Sequence, residues 1–219
     1  MDIVDVISKS MLFSKIEESE ISKMLPCLNA KTVHMAKGSI LIHVDEPVRR
    51  VGIVISGLLS AIKEDANGER SLIAQFRTGN LFAEALCCVR TNNSPISVVA
   101  EQDSTVVWID FNNILEVCRN NCKHHFLLVE NMLFVLANKN LNLQTRMEYL
   151  SKKTIRERLL KYLTDVSAGT QEVFYIPFNR EELADYLCVN RSALSREISN
   201  LKDEGVIDYH KNKFKLLCN

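Results

Sequence analysis

From Thr32 to about Asp110 apolar residues recur near every second position. The runs are short and break at Lys37-Gly38, Asp45-Glu46-Pro47, Ser56-Gly57, Asn67-Gly68 and Thr78-Gly79-Asn80. A period of two puts alternate side chains on opposite faces of a strand, and turn residues at this spacing fold each strand back beside the last. The pattern suggests an antiparallel sandwich or barrel. Asn67-Gly68 is the best hairpin signal, because both residues tolerate the positive φ of a type I′ turn. The stretch "ISVVAEQDSTVVWIDF" adds two more strands with a turn near Gln102-Asp103.

Helical spacing flanks this region. Residues 2–29 alternate at helical period and end near Pro26. After Asp110 the period is helical to about Leu150, where Val129, Leu133, Leu136, Asn140, Leu143, Met147 and Leu150 fall at alternating steps of four and three. That is a heptad seam with Asn140 in its middle, a pattern that fits a self-associating helix better than a helix packed only inside its own domain. A single Asn at an a position pairs with its symmetry mate and fixes register at some loss of stability.

The last segment reads as a separate module. "KKTIRERLLKYLTDVS" is a short amphipathic helix that ends at Gly169-Thr170, and "EVFYIPF" is a strand. Asn179 with Glu182 three residues on makes a capping-box start for a helix whose apolar face is Leu183, Ala184 and Leu187. "CVN" is a turn, Asn190 caps the next helix, Gly205 ends it, and "VIDYHKNKFKLL" is a hairpin. Helix, tight turn, helix and hairpin spell a winged helix-turn-helix. Its second helix carries Arg191 and Ser195 four apart, and Ser192 and Arg196 four apart, on the face opposite Leu194, Ile198 and Leu201. In such a motif the start of the second helix reaches base edges in the major groove. Arg bonds guanine O6 and N7 in a bidentate fashion, and Ser donates or accepts at several edges.

Charge adds little. The chain has 27 basic and 27 acidic residues; residues 1–150 hold 15 and 17, residues 151–219 hold 12 and 10, so only the C-terminal part is on balance basic. No apolar run approaches the roughly 18–20 residues of a membrane span, and the N-terminus lacks a basic n-region followed by an apolar core. The expected location is the cytoplasm, with the seven cysteines as reduced thiols. No P-loop, nucleophile elbow, GxGxxG or HExxH is present, so no enzyme is expected.

Taken together, "AKGSILI", "VISGLLSAIKED", "GNLFAEA", "PISVVAEQDSTVVWID", the long helix and "FNREELADYLCVNRSALSREISNLKDEGVI" resemble the Crp/Fnr superfamily of bacterial transcription regulators over nearly the whole chain. The resemblance implies an α+β fold: an N-terminal antiparallel β jelly-roll (cupin-like) sensor domain at 1–118, a long dimerisation helix at 119–150 and a winged helix-turn-helix at 151–219. It implies a homodimer on a palindromic operator in double-stranded DNA, with RNA polymerase as a partner if the protein activates. Arg191, Ser192 and Arg196 fall where members read bases, and Asn179, Arg180 and Asn190 where they touch phosphate. Ser192 stands where many members carry a Glu that accepts from cytosine N4.

The same resemblance marks an effector pocket at Ala83, Glu84, Ala85, Ser94, Pro95 and Asn140. Cyclic-nucleotide readers have Gly-Glu-Leu where this chain has Ala83-Glu84-Ala85, an Arg-Ser pair where it has Ser94-Pro95, and Thr-Ser where it has Asn140-Leu141. The phosphate-neutralising Arg is missing, with Arg90 as the nearby candidate to replace it. Cyclic AMP is not expected to bind in the usual way, and an unknown small-molecule effector takes its place if there is one. Oxygen-sensing members hold an iron–sulfur cluster with an N-terminal cysteine group, but only Cys27 lies there. Cys118 and Cys122, beside His124 and His125, have zinc-compatible spacing but read better as small buried hydrophobes. Cys87 and Cys88 are a candidate sensing pair. No metal or cofactor is expected. The rival reading is a cytosolic ligand-binding regulatory subunit whose C-terminal module contacts protein, which leaves the outward arginines of the second helix without a use.

Overall fold

The computed structural model describes residues 2–65, 67–68, 70–89, 93–116, 124–170 and 172–217. They form two compact units that divide between Asn138 and Lys139.

The first unit opens with α1 (Ile3–Ser8), a 3-10 turn at Met11–Phe13 and α2 (Glu18–Cys27). Pro26 sits inside the last turn of α2, so that helix runs one residue past it. Strands β1 (Lys31–Met35), β2 (Ile40–Ile42), β3 (Arg50–Ser56), β4 (Leu58–Glu64), β5 (Arg70–Arg77) and β6 (Leu81–Phe82) follow. Then come α3 (Glu84–Cys88), β7 (Ser97–Ala100), β8 (Ser104–Asp110) and α4 (Phe111–Leu115). The strands form two antiparallel four-stranded sheets, ordered β1-β8-β3-β6 and β2-β7-β4-β5.

Burial on both faces explains the unbroken apolar run of β3. Val54 joins Ile42, Leu59, Ala61, Phe82, Val98, Ala100 and Val106 in one core. Val51, Ile53 and Ile55 belong to a second core with Val107 and Ile109, the N-terminal helices and the first half of α5 (His125–Leu150), through Leu128, Met132 and Val135. Gly52 is required by packing: a Cβ there would run into the ring of Phe82.

The Asn67-Gly68 hairpin does not use a type I′ turn. The strands pair Glu64 with Arg70 and Lys63 with Ser71, a register that leaves an odd number of residues in the loop, which a two-residue turn does not, and Gly68 has φ +80. Asp65 instead accepts from the Asn67 N–H through its side chain at 2.9 Å and from the Gly68 N–H through its carbonyl at 3.0 Å. An Asx-type turn has replaced the expected geometry, because an Asp two residues before the Asn supplies the acceptor.

The second unit contains the end of α5, then α6 (Ile155–Ser167), β9 (Phe174–Tyr175), α7 (Arg180–Tyr186), α8 (Arg191–Asp203), β10 (Ile207–His210) and β11 (Lys213–Leu216). Capping boxes Thr154/Glu157 and Asn179/Glu182 fix the starts of α6 and α7. Three strands pair in the order β10-β11-β9. Leu159, Leu163, Leu183, Leu187, Leu194, Ile198, Leu201, Ile207 and Phe214 bury their side chains in a common core.

Candidate nucleic-acid interface and effector pocket

The start of α8 is set by its cap. Asn190 Oδ1 accepts from the N–H groups of Ser192 at 2.9 Å and Ala193 at 3.3 Å, which satisfies two of the orphan donors of the first turn. With Leu194, Ile198 and Leu201 fully buried behind, the opposite face is fixed by helical period. Arg191, Ser192 and Arg196 are exposed on it and Ser195 is half-buried. The helix end adds partial positive charge where Arg191 and Ser192 lie.

One acid in the middle of α8 is neutralised from behind. Arg156 on α6 donates to Glu197 at 2.6 Å and in a two-pronged contact to Glu204 at 2.6 and 2.9 Å. The guanidinium holds the Glu204 carboxyl below its ordinary range.

The three residues assigned to phosphate contact are not alike. Asn179 and Asn190 are helix caps whose oxygens are already used. Arg180 is half-buried: its guanidinium lies 5.1 Å over Tyr209 and 5.0 Å over Phe214, and its Nη2 donates to the Lys211 carbonyl at 2.9 Å. It therefore ties the hairpin β10–β11 to the start of α7. Its Nη1 is buried with no hydrogen-bond partner among the described residues. Asn179, Arg180, Glu181, Arg191, Lys211 and Asn212 line a cavity of about 430 Å3, open to one side. Lys211 and Asn212, the hairpin tip, were not among the residues singled out from the sequence. The signal was present in "HKNKFK", a basic hairpin turn of the wing.

In the first unit Ala83 has φ +66 and precedes α3, whose first residue Glu84 is 3% exposed. Ala85 is exposed. Ser94 is 1% exposed, and its polar groups are used at home: Oγ donates to the Ile96 carbonyl at 2.7 Å, the N–H donates to the Glu46 carbonyl at 2.9 Å, and the carbonyl accepts from Asp45. Pro95 is exposed and has no N–H. Phe82 fills the jelly-roll interior, with Phe76 at 5.5 Å and Trp108 edge-on at 5.0 Å. Arg90, Cys118 and Cys122 lie outside the described residues. Asn140 belongs to the second unit and is exposed. Cys87 is buried, and burial pushes its thiol up to about 12, which keeps it protonated near neutral pH. No cluster of metal-ligating side chains occurs among the described residues, and no helix among them is long and apolar enough to cross a membrane.

Along α5 the seam residues differ. Leu133, Leu143 and Met147 are 65%, 60% and 69% exposed, and Asn140 is exposed with them, whereas Val129 and Leu136 are half-buried. Leu136 also packs on the core of the first unit.

Comparison with known proteins agrees with this architecture. Residues 32–121 match the cyclic nucleotide-binding domain family and residues 157–217 the Crp-like helix-turn-helix domain family. The chain is 27% identical to the probable transcriptional regulator flp of Lacticaseibacillus casei over 184 residues, covering 83% of this chain and 80% of that one. It is 23% identical to the transcriptional activator protein anr of Pseudomonas aeruginosa over 189 residues, covering 84% and 75%. Its fold is similar to CprK complexed with OCPA, with a TM-score of 0.67 at 16% identity over 90% of this chain and 91% of that one. It is also similar to a CooA mutant from Carboxydothermus hydrogenoformans, with a TM-score of 0.64 at 20% identity over 100% and 92%. With a cyclic-nucleotide-binding-type domain followed by a Crp-like helix-turn-helix in one chain, the protein belongs to the Crp/Fnr family of transcription regulators.

Proposed function

We propose that this regulator acts as a homodimer on a palindromic operator, reading base edges with Arg191, Ser192, Ser195 and Arg196 and gripping phosphates with Asn179, Arg180 and Asn190. The observation that carries the reading is the pair of outward arginines, Arg191 and Arg196, on a helix whose mid-helix acid, Glu197, is held by Arg156. A module used only for protein contact has no need of that arrangement. Lys211 and Asn212 extend the phosphate-facing cavity to the wing. RNA polymerase is a partner if the protein activates.

The effector reading is negative for cyclic nucleotides. Ser94 spends its hydroxyl on Ile96, Pro95 has no donor, and neither carries charge. A different small molecule, or none, then governs the sensor domain, and no resident cofactor enters the reading. The test is selection of bound duplexes from a random pool. The expected result is an inverted repeat whose half-sites lie about one helical turn, roughly 34 Å, apart. Recovery of no sequence preference would overturn the proposal.

A further inference from the structure

The last carbonyls of an α-helix have no partner within it and must find one elsewhere. In α7 the accounting can be completed carbonyl by carbonyl. Leu183 O accepts from the Leu187 N–H, Ala184 O from the Val189 N–H at 3.0 Å, and Asp185 O from the Cys188 N–H at 3.2 Å. This is a Schellman-type end, with Cys188 in the left-handed region at φ +51. It leaves the carbonyls of Tyr186, Leu187 and Cys188, and each of these accepts from an arginine of another helix. Arg158 on α6 donates through Nη1 to Leu187 O at 3.1 Å and Cys188 O at 3.3 Å. Arg146, near the end of α5, donates through Nε to Tyr186 O at 3.0 Å and through Nη2 to Asp185 O at 3.2 Å. The Arg146 guanidinium also lies 5.2 Å over the Tyr186 ring. Two cations thus meet the negative end of the α7 dipole.

Only Val189 and Asn190 separate Cys188 from the first residue of α8, so whatever fixes these carbonyls fixes where α8 begins. Of the two arginines, Arg146 is the one on the long helix, between the exposed seam residues Leu143 and Met147. We propose that Arg146 is a positioning residue for DNA recognition: its two-carbonyl clamp on the end of α7 makes the long helix, rather than the turn itself, set the angle at which α8 presents Arg191 and Arg196. This rests on the base-reading role given to α8 above. Arg146 itself touches no base in this scheme. Its removal leaves the phosphate-facing groups Asn179, Arg180 and Lys211 in place, so the expected loss falls on sequence-specific binding.

The test is a fluorescence-anisotropy titration of the full-length protein, well below its unfolding temperature. It uses the duplex recovered by selection and a scrambled duplex of equal length, with wild type, Arg146→Ala and Arg146→Lys, and dimer content followed by sedimentation. For Arg146→Ala the expected result is a loss of about tenfold or more on the selected duplex, within about threefold of wild type on the scrambled one, because a charged hydrogen bond of this kind is worth about one decade or more. Lys, a point charge without the planar fork, should restore only part of the preference. A selected-to-scrambled ratio unchanged in Arg146→Ala overturns the proposal, as does an equal loss on both duplexes. If Arg146→Ala does not fold, the ratio for Arg146→Lys decides in the same way: unchanged, it overturns the proposal. A wild type that does not discriminate the two duplexes overturns the base-reading role itself, and the clamp's role with it.

Discussion

Arg156 and Glu197 meet at 2.6 Å behind the recognition helix, and the same guanidinium reaches Glu204 near the helix end. Arg156→Ala would release two carboxylates into the field that approaching phosphates experience. The expected outcome is a loss of a few-fold on specific and random DNA alike, shrinking as salt is raised, because exposed charges are screened within about 10 Å at 0.1 M. The pH dependence has a definite sign. Arg156 lowers the Glu204 carboxyl, so its contribution to stability is fully present above the unfolded Glu value of about 4.3 and is lost as pH falls through the lowered folded value. Urea midpoints of wild type and Arg156→Ala should differ near neutrality and converge in acid; a gap that persists at low pH contradicts the assignment.

Arg196 and Arg180 separate recognition from wing support. Arg196→Ala should cost about 1–3 kcal/mol on the operator and relax preference at one position of each half-site. Loss of equal size on random DNA would remove Arg196 from base reading. Arg180→Ala should weaken both kinds of duplex, since phosphate contacts carry no sequence information. Its contacts with Tyr209, Phe214 and the Lys211 carbonyl add a stability loss of about 1–2 kcal/mol that a surface phosphate contact would not show. Thermal unfolding of the two variants, without DNA, tells these cases apart.

The dimer is best tested where the protomer does not need the side chain. Leu136 packs on the core of its own unit, so Leu136→Glu would damage the fold as well as any seam. Leu143 and Met147 are mostly exposed. Leu143→Glu should leave the circular-dichroism spectrum intact, yield monomers in sedimentation and abolish operator binding. A wild-type monomer at micromolar concentration would reject the seam outright. Asn140→Leu should keep or raise dimer stability while loosening register or oligomer choice.

Cys188 holds a left-handed backbone at φ +51 in the turn before α8. A side chain there is strained by roughly 1 kcal/mol, whereas glycine is not. Cys188→Gly should therefore stabilise the protein by up to about 1 kcal/mol, less the extra flexibility of glycine in the unfolded chain. Chemical denaturation measures the balance; a loss above about 1 kcal/mol would mean that the thiol's contacts with Arg146 and the Asp185 carbonyl outweigh the strain.

These particulars show what the sequence could carry. Local signals were legible: the Asn179/Glu182 capping box, the Asn190 cap and the apolar face of α8 are each decided by residues within four positions. The strand series was legible because period two and turn residues agree over many residues. The Asn67-Gly68 turn was misjudged because Asp65, two residues upstream, competes for its N–H groups. The packing of Arg180 on Tyr209 and Phe214 was not legible because those rings lie about 30 residues away. Arg146 carried no local mark at all. In the heptad it is a polar flank, and only the folded turn reveals the carbonyls it serves. The division of α5 at Asn138/Lys139 was hidden for a related reason: one helical period continues through two different cores, that of Leu128, Met132 and Val135 and that of Tyr149.

A cyclic nucleotide brings a phosphate that must leave water on binding, and a buried phosphate needs a cation or several donors. At the place where that cation would stand, Ser94 is buried with its hydroxyl donated to Ile96 and its N–H to Glu46. Pro95 beside it has no N–H. Glu84 remains, buried at the start of α3, and a carboxyl cannot supply the missing positive charge. Losing a charge-assisted contact of this kind costs about 2–5 kcal/mol, or roughly 30- to several-thousand-fold in affinity, which moves a micromolar ligand toward millimolar. Calorimetric titration of the purified protein with cyclic AMP and cyclic GMP should therefore show no binding in the low micromolar range. A low micromolar dissociation constant for either nucleotide, abolished by Glu84→Ala, would show that another basic residue supplies the charge, with Arg90→Ala as the next variant to titrate.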